Sequence, residues 1–330
     1  MHLLVTCGAG FIGSHFVLRH REAVPDDTIV LLDSLTYAGN KEYLAPVLER
    51  IRFIQGDIAD VELLTKLCST YAIDVIVNFA AETHVDRSIQ NAVPFLHTNV
   101  LGVQSLIEVC KAKGVRLLHV STDEVYGDIA DGERPRKVGD CLFPSSPYAA
   151  SKAAGEMLLL AAMRTNNIKV CISRCTNNYG SHQALEKFIP TVIRHALRDE
   201  AVPVYAKGLN RRDWLYVADH CDGLELLLKT PWAFDDDLPL PSGERSRGGG
   251  HIFNIAANEE RQNIDVAKMI LHILGKPESL LQFVADRPGH DWRYAIDSTP
   301  IRALGWEPKV KFETGLRKTV EWYRELLQKA

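Results

Sequence analysis

Three consecutive residues, Thr122-Asp123-Glu124, and a tyrosine followed four positions later by a lysine, Tyr148 and Lys152, are the groups in this chain best suited to move protons. Tyrosine and lysine four apart share one face of a helix, so an ammonium can sit beside a phenol. A free phenol titrates near ~10, and a base working at neutral pH needs it lower by roughly three units, about 4 kcal/mol. A neighbouring cation shifts it in that direction. Adjacent carboxylates can point two ways, and two close acids push their pKa values apart, which helps one stay protonated. An acid at a leaving oxygen and a base at the neighbouring carbon are what the loss of water requires.

Regular elements must hold these groups. Val115 to Val120 is a short apolar run that reads as a buried strand delivering Thr122, Asp123 and Glu124 at its end. Tyr148 opens an Ala-, Leu- and Met-rich segment running to about Met163 that reads as a helix. At the start of the chain, the strand Leu3-Leu4-Val5-Thr6 leads into Cys7-Gly8-Ala9-Gly10-Phe11-Ile12-Gly13 and a helix from about Ser14. A glycine turn between strand and helix aims backbone N–H groups at a pyrophosphate. A second apolar run, Thr28 to Leu32, ends in Asp33, twenty residues after Gly13. There a carboxylate accepts hydrogen bonds from ribose hydroxyls and repels a 2′-phosphate, favouring NAD over NADP; the bland alternative is a turn cap.

Arg52 to Ile58 adds a strand and turn where Asp57 and Ile58 can frame an adenine, and Asp74 to Ala81 is a strand ending in small residues. Helical stretches, Val61 to Tyr71 and Asn99 to Lys113, alternate with these strands. The pattern predicts an α/β fold: a Rossmann-like doubly wound parallel sheet with its site at the carboxyl ends of the strands. Residues 1–176 read as an NAD-binding domain and 177–330 as a smaller mixed α/β substrate lobe. Segments near 213–225 and 252–256 are expected to return to the first lobe. The Asp-, Pro-, Arg- and Gly-rich stretch 232–250 reads as a mobile loop.

With 46% hydrophobic and 24% charged residues and a net charge of -4, the chain has the make-up of a globular protein with no call for nucleic acid or an anionic membrane surface. Seven scattered cysteines without a Cys-x-x-Cys pair predict free thiols in a reducing compartment and no metal. No apolar run reaches ~18 residues, so a cytoplasmic location is expected.

Further motifs narrow the reading: Leu35-Thr36-Tyr37-Ala38-Gly39-Asn40, His84-Val85-Asp86-Arg87-Ser88, Ser121 through Gly127, Asn177-Asn178-Tyr179-Gly180, Asp213-Trp214-Leu215-Tyr216 and Asp286-Arg287-Pro288-Gly289-His290-Asp291. With Tyr148 and Lys152, they make the chain resemble the extended short-chain dehydrogenase/reductase family, in its nucleotide-sugar 4,6-dehydratase branch. The resemblance implies that Tyr148 takes the proton of the sugar 4-hydroxyl while the C4 hydride passes to a tightly bound NAD. Lys152 would hold the ribose and lower the phenol pKa, and Thr122 would hydrogen-bond the same oxygen. Glu124 would remove the C5 proton as Asp123 protonates the departing 6-hydroxyl, and the hydride would return to C6. Cofactor contacts are implied at Gly8, Gly10, Phe11, Ile12, Gly13, Asp33, Ser34, Leu35, Thr36, Asp57, Ile58, Phe79, Ala80, Ala81, Thr83, Thr98 and Asn178, besides Tyr148 and Lys152. Substrate contacts are implied at Thr83, His84, Asn177, Lys187, Phe188, Pro203, Val204, Tyr205, Arg212, Asn254, Asp286, Arg287, Pro288, Gly289 and His290, besides Thr122, Asp123 and Glu124.

The implied substrate is a nucleotide-diphosphate hexose, dTDP-glucose first and a UDP-hexose second, and a homodimer is implied. A 4-epimerase or decarboxylase shares Tyr148 and Lys152 but does not need the Asp123-Glu124 pair, and a silent NAD-binding sensor has no use for all four. Cys7 stands where relatives usually carry glycine; Ser34, Thr83, Ser181, Ala184, Leu185, Ala256, Ala257 and Trp292 also depart from the pattern.

Overall fold

Leu3, Leu4 and Val5 are all wholly buried, as an uninterrupted apolar strand must be when helices cover both faces of its sheet. The computed structural model describes residues 1–230 and 251–329. Its strands are β1 His2–Thr6, β2 Thr28–Asp33, β3 Arg52–Gln55, β4 Val75–Asn78, β5 Arg116–Thr122, β6 Val170–Cys175, β7 Asn177–Tyr179, β8 Val202–Tyr205, β9 Arg211–Tyr216, β10 His251–Ile255, β11 Glu260–Gln262 and β12 Leu281–Val284. The helices are α1 Phe11–Ala23, α2 Val61–Thr70, α3 Val85–Gln90, α4 Val93–Leu96, α5 Gly102–Lys113, α6 Pro147–Asn166, α7 Phe188–Leu197, α8 Val217–Lys229, α9 Asn263–Leu274, α10 Thr299–Ala303 and α11 Phe312–Lys329.

Seven parallel strands form the main sheet in the order β10-β6-β5-β4-β1-β2-β3. Alternate residues of β1 feed opposite cores. Leu3 and Val5 pack with Phe16, Val17 and Leu224 from α1 and α8, and Leu4 packs with Leu64, Leu106 and Leu159 from α2, α5 and α6. The chain leaves β1 for β2 on one side and later reaches β4 on the other, so a crevice opens beyond the carboxyl ends of these strands. Ser146 starts α6, its hydroxyl accepting from the Ala149 N–H with Pro147 in the first turn. Gly114, left-handed at φ +68°, ends α5.

The second lobe gathers α7, α9 and α11 around Tyr179, Trp214 and Phe312. Of the two segments expected to rejoin the first lobe, β10 does so, pairing with β6 from His251↔Cys171 to Ile255↔Cys175. The strand near 213 does not: β9 lies between β7 and β11 in a separate three-stranded sheet, because Trp214 and Tyr216 pack edge-on to Tyr179. The helix that follows it, α8, is the part that returns; Arg19 of α1 bonds Asp222, and His20 Nδ1 lies 2.6 Å from Glu225. The stretch 232–250 read as a loop lies outside the described residues.

Candidate active site

Two cavities meet at the carboxyl end of the main sheet. The first, of about 250 Å³, runs from the glycine turn to the end of β5. The second, of about 320 Å³, is walled by α3, β8, β9 and the segment 284–294. Thr83, Glu124, Asn177 and Lys187 line both, so the two form one continuous site.

The end of β5 sets the chemistry. Thr122 accepts the Glu124 N–H on its hydroxyl at 3.2 Å and starts a 3-10 turn, Asp123–Tyr126. Gly127 closes that turn at φ +72°, where an added Cβ would stand 1.9 Å from the Phe143 carbonyl oxygen. Asp123 is 3% exposed. Burial, then the charges of Glu124 and Asp213, hold its carboxyl well above the usual range. Burial also raises Glu124, but Arg287, Arg212 and Lys187 oppose the rise. Consecutive acids therefore sit in different environments, the condition for one to act as acid and the other as base.

Tyr148 and Lys152 are buried together at the start of α6. Burial, followed by Glu124 and Cys175, pushes the phenol well above its ordinary value, against a hydrogen bond with Thr122. The expected lowering of the phenol by Lys152 is thus corrected. Lys152 Nζ donates to the Val120 carbonyl at 2.9 Å, and burial lowers the ammonium itself to about 8, with Glu156 opposing.

Of the expected cofactor residues, Gly10, Phe11, Ile12, Gly13, Phe79, Ala81, Thr83, Tyr148, Lys152 and Asn178 line the first cavity. A Cβ at Gly13 would lie 2.3 Å from the Cys7 carbonyl oxygen, so the turn is a cradle only glycine permits. That cradle at the amino end of α1, with the buried Asn178 Oδ1 of the cavity lining unpartnered among the described residues, fits a dinucleotide. Cys7 does not break the turn: it takes φ +53°, donates its N–H to the Leu32 carbonyl at 2.8 Å, and is one of the residues lining the cavity.

Other expected contacts stand apart from the lining. Gly8 is a packing glycine, since a Cβ there would meet Leu31 Cδ1 at 2.5 Å. Asp33 braces the turn: its carboxylate accepts the N–H groups of Ala9 at 2.9 Å and Leu35 at 2.8 Å. Ile58 is buried in the core beneath Gly102, and Asp57 is an Asx turn accepting the Ala59 N–H. Ser34, Leu35, Thr36, Ala80 and Thr98 do not line either cavity. Sequence reasoning missed Tyr37, Ala38, Cys175, Thr176, His182 and Gln183 in this wall. Tyr37 and Ala38 were at hand in a quoted motif.

The second cavity brings together the expected Thr83, His84, Glu124, Asn177, Lys187, Phe188, Pro203, Val204, Tyr205, Arg212, Arg287 and His290. Thr122 and Asp123 line only the first. Arg212 stacks 4.2 Å over the Tyr294 ring and donates to the Asp291 carbonyl at 2.8 Å. Lys187 Nζ donates to the Thr83 carbonyl at 2.9 Å. Asn254 lines neither cavity: wholly buried, it accepts from the Tyr126 hydroxyl at 2.9 Å and donates to the Arg136 carbonyl at 3.1 Å. Asp286, Pro288 and Gly289 also leave the wall; Asp286 instead holds His290 Nδ1 at 2.6 Å. Tyr294, Asp86, Glu186, Asn263 and Trp214 line the cavity without having been singled out as contacts. Trp214 Nε1 is buried without a partner among the described residues.

The parallel sheet, its glycine cradle and the proton-transfer groups at the end of β5 define a Rossmann-type dinucleotide-binding protein equipped for acid–base chemistry. A family model described as GDP-mannose 4,6 dehydratase matches residues 4–319, and the chain belongs to that family. A dTDP-glucose 4,6-dehydratase of Mycobacterium tuberculosis is 44% identical over 328 residues, covering 98% of this chain and 94% of that protein. The crystal structure of a dTDP-glucose 4,6-dehydratase from Streptomyces venezuelae with NAD bound superposes with a TM-score of 0.89 at 45% identity, covering 98% of this chain and 97% of that one. A Thermus thermophilus UDP-glucose 4-epimerase in complex with NAD is similar at a TM-score of 0.86 and 30% identity, covering 98% and 99%.

Proposed function

We propose that the chain is an NAD-dependent dTDP-glucose 4,6-dehydratase, a hydro-lyase producing dTDP-4-keto-6-deoxyglucose for deoxysugar biosynthesis. The observation that carries this reading is the contrast between the buried Asp123, held toward its protonated form, and its neighbour Glu124, which faces three cations. The glycine cradle, Asn178 and Lys152 would hold NAD, which would supply the acceptor for the C4 hydride and its return to C6. Tyr148 Oη takes the proton of the sugar 4-hydroxyl, with the Thr122 hydroxyl steadying that oxygen. A ketone at C4 acidifies the C5 hydrogen, Glu124 takes that proton, and Asp123 gives its own to the oxygen leaving C6 as water; Glu124, after exchange with solvent, returns a proton to C5 when the hydride reaches C6.

Lys187, Arg212 and Arg287 are the cations for the diphosphate, and Tyr205 covers the base. The relatives' names support thymine as that base and glucose as the hexose. The working unit in this reading is a cytoplasmic homodimer. Each chain is divided at 176/177, with α8 and β10 belonging to the first lobe.

Incubation with NAD and either dTDP-glucose or UDP-glucose in deuterated water tests this. The expected product has lost one water and gained solvent deuterium at C5, with dTDP-glucose preferred. An epimer of unchanged mass would overturn it.

A further inference from the structure

Glu156 lies one helical turn beyond Lys152 on α6 and is wholly buried, yet no step above uses it. Its carboxylate accepts the Ser121 hydroxyl, the residue before Thr122. It also pairs with Arg174 of β6 through Nε at 2.9 Å and Nη2 at 2.5 Å. Arg174 in turn donates through Nη1 to the Tyr126 hydroxyl at 2.6 Å and lies 4.7 Å from that ring. Tyr126 is the last residue of the turn that carries Asp123 and Glu124. One carboxylate thus grips both flanks of the acid–base turn. A buried ion pair of this kind gains little over an apolar pair of the same volume, so stability alone does not account for it.

We propose that Glu156 is a positioning residue: through Ser121 and through Arg174–Tyr126 it sets the Asp123–Glu124 turn, one helical turn along α6 from Lys152. The inference rests on the functional reading above. The groups around Lys152 are few. On its own helix stand Tyr148 and Glu156, on β5 His119, and on β6 Cys175 and the Arg174 that pairs with Glu156. His119 is held well toward its neutral form by burial and by Lys152 itself. Desolvation by burial draws the ammonium down, and Glu156 is the foremost group opposing that, ahead of Cys175.

Three variants separate positioning from packing: Glu156→Gln, Glu156→Asp, and Glu156→Gln combined with Arg174→Met. For each, kcat against pH is measured with dTDP-glucose, and NAD affinity against pH is measured by quenching of protein fluorescence. Lys152 must be charged to work, and lowering its pKa moves the loss of activity on the alkaline side to lower pH. In Glu156→Gln the expected result is a fall in kcat of at least about tenfold, with the alkaline limb displaced by about one unit or more toward acid in both readouts. Glu156→Asp should keep the limb near its original place. The double variant should regain folded stability but keep the displaced limb, and it carries the test if the single variant does not fold. A lower Tm with unchanged kcat and unchanged pH profiles would overturn the proposal. Absence of dehydration in the unaltered protein would instead sink the functional reading, and the NAD-affinity profiles would still judge Glu156.

Discussion

Asp123 and Glu124 share a peptide bond and the first cavity, but only Glu124 also lines the second, where it faces Lys187, Arg212 and Arg287. Burial and the neighbouring carboxylates hold Asp123 toward its protonated form at the cofactor end, while Glu124 lies near the cations of the second cavity. Glu124→Gln should leave NAD affinity unchanged and cut elimination by about 10²- to 10⁴-fold, the usual worth of a positioned base. Absorbance of reduced cofactor should then persist in the presence of substrate. Asp123→Asn should cause a similar loss. Ordinary turnover by Glu124→Gln would mean that another group takes the C5 proton.

Acid should weaken the fold through His220. This imidazole is wholly buried in α8, neither ring nitrogen has a partner among the described residues, and burial pushes its pKa down to about 3. An unfolded histidine titrates near ~6.5. The folded value is the lower one, so the neutral form's contribution is complete above about 6.5 and is lost as pH falls toward 3. Between pH 6.5 and 5 this amounts to about 2 kcal/mol. Thermal denaturation at both pH values should show a smaller difference for His220→Leu than for the unaltered chain.

The glycine cradle offers a steric test. At Gly13 an added Cβ would stand 2.3 Å from the Cys7 carbonyl oxygen and 2.9 Å from Gly8 Cα, whereas at Gly139 nothing lies within 4 Å. Gly13→Ala should force the turn open and weaken NAD binding by about tenfold or more, because the phosphates depend on close backbone approach. Gly139→Ala should bind as the unaltered protein does. Equilibrium titration of the two variants checks the contrast, and equal affinities would remove the cradle from the account.

Thiol chemistry should be confined to one position. Cys141 is the exposed cysteine; Cys68, Cys110, Cys171, Cys175 and Cys221 are buried, and Cys7 is partly so. Burial raises the thiols of Cys7, Cys68, Cys110, Cys171, Cys175 and Cys221, which depletes the reactive thiolate. A disulfide reagent at pH 8 should therefore label one thiol rapidly in the native protein and all seven after denaturation. Rapid native labelling at Cys7 would show that the cofactor turn opens.

The sequence by itself determined the elements that local pattern encodes. Unbroken apolar runs marked β1, β2, β4 and β5, and the spacing of Tyr148 and Lys152 placed both on α6. Acids following a strand placed Asp123 and Glu124 at the end of the sheet. Only the tertiary structure decided what surrounds them. Asp33 was legible as an acid at a strand end, but its use as a brace depends on Ala9, far away in the chain. Asn254 was legible as polar, but its burial against Tyr126 depends on β10 pairing beside β6. Glu156 carried no signal at all until β5 and β6 brought Ser121 and Arg174 to it. Periodicity records which face of an element is apolar. Charge state and hydrogen bonding depend instead on groups that only folding brings close, and in a dry site those groups decide which acid keeps its proton.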